Sequence, residues 1–389
     1  MRFALLGLSA SLLASCSMLP SQGPLANEVA SGATSQDGEA RYAIIDVTER
    51  VQGILARIAN PTFYGRFGDY RASPTPVIGV GDQITVTIWE AAAGGLFSAP
   101  SFGGVTAGSH SASIPPQIVP RDGSITVPYA NRVRVAGLTP QQVEKSIVSN
   151  LTGKAIEPQA LVTVNNSISN SVTVTGEVTN GARVPLSGRG DRILDVIAVV
   201  GGVRAPVHET FITLNRGNSS ATVPMQALLK NPRENIFVRP DDVITLVHSP
   251  QWFSAFGATG RNFVINFDAM GITLAEALAK AGGLLDMGSD PEGVFLMRPE
   301  AASVVRELDP TYPIAPGQTS VNVVYRANMR DANTYFIARK FAVRHQDILY
   351  VANAQSGQLQ KALTVINTAS SSVYNLAITK GQLCASGKC

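Results

Sequence analysis

The sequence predicts an α+β chain assembled from several small strand-and-helix modules, and three observations carry that prediction. One strand pattern is written three times. In Val80 to Ile88 the apolar Ile84, Val86 and Ile88 alternate with Gln83, Thr85 and Thr87 behind a Gly81-Asp82 turn, the period of a half-buried strand. The same form returns behind Asp241-Asp242 (Val243 to Val247) and behind Gln346-Asp347 (Ile348 to Val351). Next, a helix closed by Gly201-Gly202 is repeated by one closed by Gly282-Gly283, at a constant spacing of 81 residues. Finally, 35 Gly and 23 Pro among 389 residues, with only 15% charged residues, favour many short strands and turns.

Composition also excludes. A formal charge of +3 is too small to argue for nucleic acid. His110, His208, His248 and His345 lie far apart without ligand spacing, so neither a metal nor another cofactor is expected. Asp and Glu are scattered, Asp241-Asp242 reads as turn chemistry, and neither a nucleophile elbow nor a phosphate loop occurs, so an enzyme is disfavoured. There is no run of about 18 apolar residues to make a conventional membrane helix.

From the amino end, Met1-Arg2 and the apolar run Phe3 to Leu13 read as a signal peptide over residues 1–15. It ends in Leu13-Ala14-Ser15-Cys16, which resembles a bacterial lipobox with Cys16 as the lipidated first residue; an ordinary cleaved signal is the plainer alternative. Ser17 after the cysteine is, in such lipoproteins, an outer-membrane address. Ser17 to about Ala40, rich in Ser, Gly, Pro and Ala, reads as a tether inside a lead-in over 16–75. Within that lead-in, Tyr42 to Ala59 holds a strand and then a helix with Val51, Ile54, Leu55 and Ile58 on one face.

Residues 76–170 form the first module. After its opening strand, Ala91 to Ser113 is a Gly/Ala/Ser-rich loop without periodicity. Val119 to Pro128 reads as a hairpin around Asp122-Gly123. A helix follows, with Thr139 as N-cap, Pro140 at the first position, Gln142 completing a capping box and Leu138–Val143 as a hydrophobic staple; Val143, Ile147 and Leu151 form its buried stripe. Leu161 to Val164 is a strand. The second module spans 171–252 and the third 253–355. In each, a strand ending in glycine (Gly176, Gly257) precedes a helix with an acidic residue in its first turn (Asp195, Glu276) and a Gly-Gly end that supplies the left-handed cap.

The order of these landmarks carries a resemblance. Ile78-Gly79-Val80-Gly81-Asp82, then Val119-Pro120-Arg121-Asp122-Gly123, then Val135-Ala136-Gly137-Leu138-Thr139-Pro140 resembles the polysaccharide-export domain. The two repeated modules look like the β-grasp (SLBB) modules of bacterial outer-membrane polysaccharide export lipoproteins. Ile88-Trp89-Glu90-Ala91 and Gly293 to Arg298 are similar to capsule exporters that work with an ABC transporter. The resemblance covers about residues 16 to 380. It implies a homo-oligomeric ring, usually an octamer, polysaccharide as cargo, outer-membrane lipid around it, and an inner-membrane polysaccharide co-polymerase and ABC transporter as partners.

An export channel needs a segment that crosses a membrane, and residues 357–380 offer one. On a helical wheel, Leu359, Leu363, Ile366, Val373, Leu376 and Ala377 share the apolar half, while Thr364, Asn367, Thr368, Ser371 and Asn375 share the polar half. Lys361 and Lys380 bracket the charge-free stretch, a helical rise of about 28 Å against a hydrocarbon core of ~30 Å. Alone, such a helix leaves its polar face in lipid; a closed ring of them turns that face to water. The expected architecture is therefore an amphipathic α-helical barrel, with the apolar set facing lipid and the polar set facing the lumen. A soluble surface helix would show the same split but would normally carry charge on its wet face.

Residues 381–389 form a tail. Its Cys384 and Cys389 admit a local disulfide in an oxidising compartment if the segment between them bends, and are equally compatible with free thiols. Two functions stay in play: an outer-membrane export channel, and a periplasm-facing glycan-binding scaffold without a pore.

Overall fold

A computed structural model describes residues 23–34, 40–58, 61–71, 75–91, 96–97, 110–286, 288–355 and 364. They fall into two compact units, one within Asn60–Ser249 and the other drawn from both sides of it, Met1–Ala59 and Pro250–Cys389. In chain order, the lead-in forms helix α1 (Ala26–Ser31), strand β1 (Ala43–Asp46) and helix α2 (Glu49–Ile58). Val51, Ile54 and Leu55 of α2 are buried as expected, but Ile58 is exposed: it sits at the last helical position, beyond the packed stripe.

The unit within Asn60–Ser249 begins with α3 (Phe63–Phe67) and β2 (Gln83–Glu90). β2 is the centre of a three-stranded antiparallel sheet, flanked by β3 (His110–Ile118) and β6 (Gln159–Asn166). The loop expected to run to Ser113 therefore ends earlier, at the first residue of β3; most of residues 91–109 lie outside the described residues. The Asp122-Gly123 expectation also needs correction. Gly123 (φ 73°) does make a turn, its N–H donating to the Pro120 carbonyl at 2.9 Å. But that turn joins two different sheets. The hairpin is β4 (Ser124–Val127) with β5 (Asn131–Arg134), closed through Tyr129 and Asn131, both at positive φ.

Helix α4 (Pro140–Leu151) follows, and its local chemistry matches expectation. The Thr139 N–H donates to Gln142 Oε1 at 2.9 Å and the Gln142 N–H to Thr139 Oγ1 at 3.3 Å. Val143, Ile147 and Leu151 are fully buried against Ile84, Val86, Ile88 and Val162.

The remaining elements of this unit are β7 (Ser171–Gly176), β8 (Ala182–Pro185), α5 (Ile193–Val199), β9 (Thr210–Arg216), β10 (Ser219–Pro224), α6 (Met225–Lys230) and β11 (Val243–His248). Their sheet order is β10-β9-β11-β7-β8, with β7 and β11 parallel. The other unit resumes with β12 (Gln251–Gly257), β13 (Phe263–Phe267), β14 (Ile272–Thr273), α7 (Leu274–Lys280), β15 (Ser289–Ala301), α8 (Ala302–Leu308), β16 (Ser320–Ala327), α9 (Ala332–Ala338), β17 (Ala342–Val343) and β18 (Ile348–Asn353). Its sheet order is β1-β16-β15-β18-β12-β13, with β12 and β18 parallel.

Strand for strand the two sheets correspond, and the second gains β1 at one edge. The duplication extends to the caps. Asp195 and Glu276 each accept the backbone N–H of their N-cap residue, Arg192 and Thr273, at 2.8 and 2.9 Å. Gly201, Gly202, Gly282 and Gly283 all take positive φ. The second copy departs where α8 is inserted between β15 and β16; the first copy has the turn Gly217-Asn218 there.

Candidate functional site

The strand pattern that recurs in the sequence is one structural device built three times. In each, the aspartate accepts the backbone N–H three residues before it: Gly79 to Asp82 at 2.8 Å, Arg239 to Asp242 at 2.8 Å, Arg344 to Asp347 at 2.7 Å. The residue before each aspartate (Gly81, Asp241, Gln346) takes positive φ. Its N–H donates to a neighbouring strand or loop carbonyl, on Val119, Ser171 and Trp252 respectively, at 2.8 to 2.9 Å. All three carboxylates are buried. Their partners differ. Asp82 takes the Ser169 N–H and hydroxyl, whereas Asp242 takes Arg216 as a bidentate ion pair at 2.9 and 2.7 Å. Turn chemistry thus accounts for Asp241, while Asp242 also anchors the centre of its sheet.

In the last module the device grows into a buried charge cluster. Arg298 on β15 pairs with Asp347 at 2.9 Å, donates to the Ala342 carbonyl at 2.8 Å, and lies over the rings of Tyr325 and Phe341. Glu300, two residues along the same face of β15, accepts the Tyr325 hydroxyl at 3.0 Å and Arg344 Nη1 at 2.9 and 3.0 Å. Burial pushes the Asp347 carboxyl up to about 6, against the pull of Arg298. Burial also lowers Arg298 and raises the Tyr325 phenol well above its ordinary value. Sequence reasoning missed this cluster. Its signal was Arg298 and Glu300 falling in phase with Val294 and Leu296, on the face that must be buried.

The opposite face of the same sheet receives the lead-in. Residues read as a tether instead include α1, whose buried Val29 rests on Phe295, Val324, Tyr350 and Ala352. Two phenols hold it: Tyr350 Oη donates to the Pro24 carbonyl and Tyr42 Oη to the Val29 carbonyl, each at 2.6 Å. A single buried aliphatic side chain gives no periodicity to read, which is why composition alone suggested a linker. β18, against which Pro24 is pinned, is also the last strand before residues 357–380.

Of the residues singled out in the sequence, Thr364 is helical and exposed. Cys16, Leu359, Leu363, Ile366, Asn367, Thr368, Ser371, Val373, Asn375, Leu376, Ala377, Cys384 and Cys389 lie outside the described residues. Among the described residues no helix is long and apolar enough to cross a membrane, and no His/Cys/Asp/Glu cluster could hold a metal.

Comparison with known proteins follows the same layout. Residues 71–165 match the family of polysaccharide biosynthesis/export proteins, and residues 171–225 and 251–351 each match the SLBB domain. The chain is 36% identical over 371 residues to the capsule polysaccharide export outer membrane protein CtrA of Neisseria meningitidis serogroup B, covering 94% of each chain. It is 35% identical over 384 residues to the capsule polysaccharide export protein BexD of Haemophilus influenzae, covering 96% of each. The Vi polysaccharide export protein VexA/TviF of Salmonella typhi is 24% identical over 320 residues, covering 81% of this chain and 84% of that one. With identity above a third sustained across nearly the full length of both chains, this protein belongs to the family of capsule polysaccharide export outer membrane proteins.

Proposed function

We propose that this chain is the outer-membrane component of a capsule export system and passes polysaccharide from the periplasm to the cell surface through a ring of identical subunits. The observation that carries the reading is the end-to-end match to capsule polysaccharide export outer membrane proteins, over both the export domain and the two SLBB modules. The described residues add a geometric reason. The docked lead-in, which follows Cys16 in the chain, and β18, which precedes segment 357–380, lie on one sheet. In this reading Cys16 carries the acyl chains. Leu359, Leu363, Ile366, Val373, Leu376 and Ala377 face lipid, and Thr364, Asn367, Thr368, Ser371 and Asn375 face a water-filled lumen. Hydroxyls and amides make weak, exchangeable hydrogen bonds to sugar, which suits a chain that must slide. The work is passage, not reaction.

The two faces of the segment supply the test. An Asp at the centre of a membrane helix costs roughly 2.5–3.5 kcal/mol, once per subunit. Ile366→Asp is therefore expected to abolish carbonate-resistant membrane association and surface capsule. Ser371→Asp should keep both and alter only conductance in planar bilayers, because lumen water solvates the charge. Equal tolerance of the two substitutions, or a native protein that inserts but conducts nothing, rejects the ring channel and leaves the pore-free scaffold.

A further inference from the structure

A cavity of about 580 Å³ lies in the unit within Asn60–Ser249, where the irregular segment leading to β2 meets the turn before β11. It falls inside the size range of small-molecule sites. Its walls combine two kinds of surface. Pro76, Val77 and Pro240 are apolar and shallow, the sort of surface on which the C–H face of a sugar ring rests. Around them stand Arg71, Arg239 and the amide of Asn170.

The charge balance is one-sided. Among the described residues lining the cavity none is acidic. Arg71 donates to the Arg189 carbonyl and stands 5.8 Å from the centre of the Phe237 ring, so its guanidinium is held by neutral groups. Half-buried Arg239 uses its backbone N–H on Asp242, but no carboxylate among the described residues pairs with its guanidinium. The nearby arginines on this unit are neutralised, Arg192 by Asp69 and Arg216 by Asp242. The carboxylate beneath the floor, Asp82, is fully buried and turned onto the Gly79 and Ser169 donors. Two guanidinium groups without counter-charge on one cavity make a site for an anion, and Arg favours the planar, two-oxygen kind.

From this we infer that the cavity is a recognition site for an acidic sugar unit of the exported glycan: the carboxylate or phosphate meets Arg71 and Arg239 while the ring lies on Val77 and Pro240. The inference rests on the export reading and adds a preference for acidic over neutral polysaccharide.

The test uses the purified full-length protein in detergent, titrated calorimetrically with tetragalacturonate, with maltotetraose and with inorganic phosphate. Tetragalacturonate is expected to bind at least tenfold more tightly than maltotetraose. Arg239→Ala should weaken it by about tenfold or more, the loss of one charge-assisted bond. Arg239→Lys should fall between, and Arg121→Ala, which removes an equal charge from an exposed turn, should bind as the native protein does. If Arg239→Ala is not monodisperse, Arg71→Gln carries the same test. Equal binding of acidic and neutral oligosaccharides, or native binding by Arg239→Ala, overturns the proposal. Binding of phosphate as tight as that of tetragalacturonate reduces the site to a bare anion and overturns it too. Bilayer conductance on the same preparation keeps the two readings apart: a conducting protein that shows no acidic preference refutes this site alone.

Discussion

Replacing Glu300 tests whether the buried cluster holds the last module together. Its carboxylate accepts the Tyr325 hydroxyl at 3.0 Å and Arg344 at 2.9 Å, and lies 3.8 Å from Arg298 Nη1. Glu300→Ala leaves a buried phenol without a partner, worth about 1–3 kcal/mol. It also strips Arg298 of its second counter-charge, leaving only Asp347. The Arg344 pair counts for less, since that side chain is partly solvated. Removing one member of a buried ionic cluster costs roughly 3–5 kcal/mol, a large share of the 5–15 kcal/mol that holds a typical domain. Glu300→Gln keeps an acceptor for Tyr325 and should lose about half as much.

The two tryptophans make the assay selective, because Trp89 lies on β2 and Trp252 on β12. Urea unfolding in a Trp89→Phe background reports the module that contains Glu300. The reverse background, Trp252→Phe, reports the other unit. The midpoint seen by Trp252 should drop in the order Glu300→Gln, Glu300→Ala, with the Trp89 signal less affected. An unchanged Trp252 midpoint in Glu300→Ala would refute the reasoning.

Three further outcomes are expected. The Asp347 carboxyl, raised to about 6 by burial, favours the fold fully below its unfolded value near 3.8 and loses that contribution as pH rises through 6. Stability seen by Trp252 should therefore fall by roughly 3 kcal/mol from Asp347 between about pH 4 and pH 7, and Asp347→Asn should flatten that slope in denaturation measured across the range. Gly176→Ala and Gly257→Ala should each destabilise their own module, because a β-carbon would collide with the carbonyl oxygen of Leu246 or Val351 at a backbone φ near +90°; Gly53→Ala, with open space around it in α2, should be neutral or stabilising by circular dichroism melts. Cys16→Ser should abolish incorporation of radiolabelled fatty acid, and a labelled variant would end the lipidation argument.

What was legible in the sequence was chemistry confined to a few neighbouring residues. Thr139, Pro140 and Gln142 define a helix start without help from the rest of the chain, and the paired glycines fix both helix ends of the duplication. What escaped depended on partners far away. Val29 is apolar like many tether residues, and only the distant Phe295, Val324 and Tyr350 make it a docking residue. Asp122-Gly123 announces a turn but not which strands the turn joins, and the pairing went to β5 through Tyr129. Arg298 and Glu300 had the phase of core residues, yet a buried charge is believable only once its partners, Asp347, Tyr325 and Arg344, are known. The lipobox at Cys16 and the charge-free 357–380 segment carry the site expectation, and apart from Thr364 they lie outside the described residues.

The edge strand β1 has a consequence for how the protein comes to exist. It pairs with β16, and the ion pair between Asp46 and Arg326 that closes this edge spans 280 residues of sequence. At 5–20 residues per second, β1 waits on the order of tens of seconds during synthesis before its partner is even made. The unit within Asn60–Ser249 is continuous and can complete itself in that interval; the other cannot. An unpaired strand is a template for pairing with other chains, so the nascent protein is most vulnerable to aggregation while its amino end is already outside and its last third is still being made. Any truncation before Ser320 makes that interval permanent.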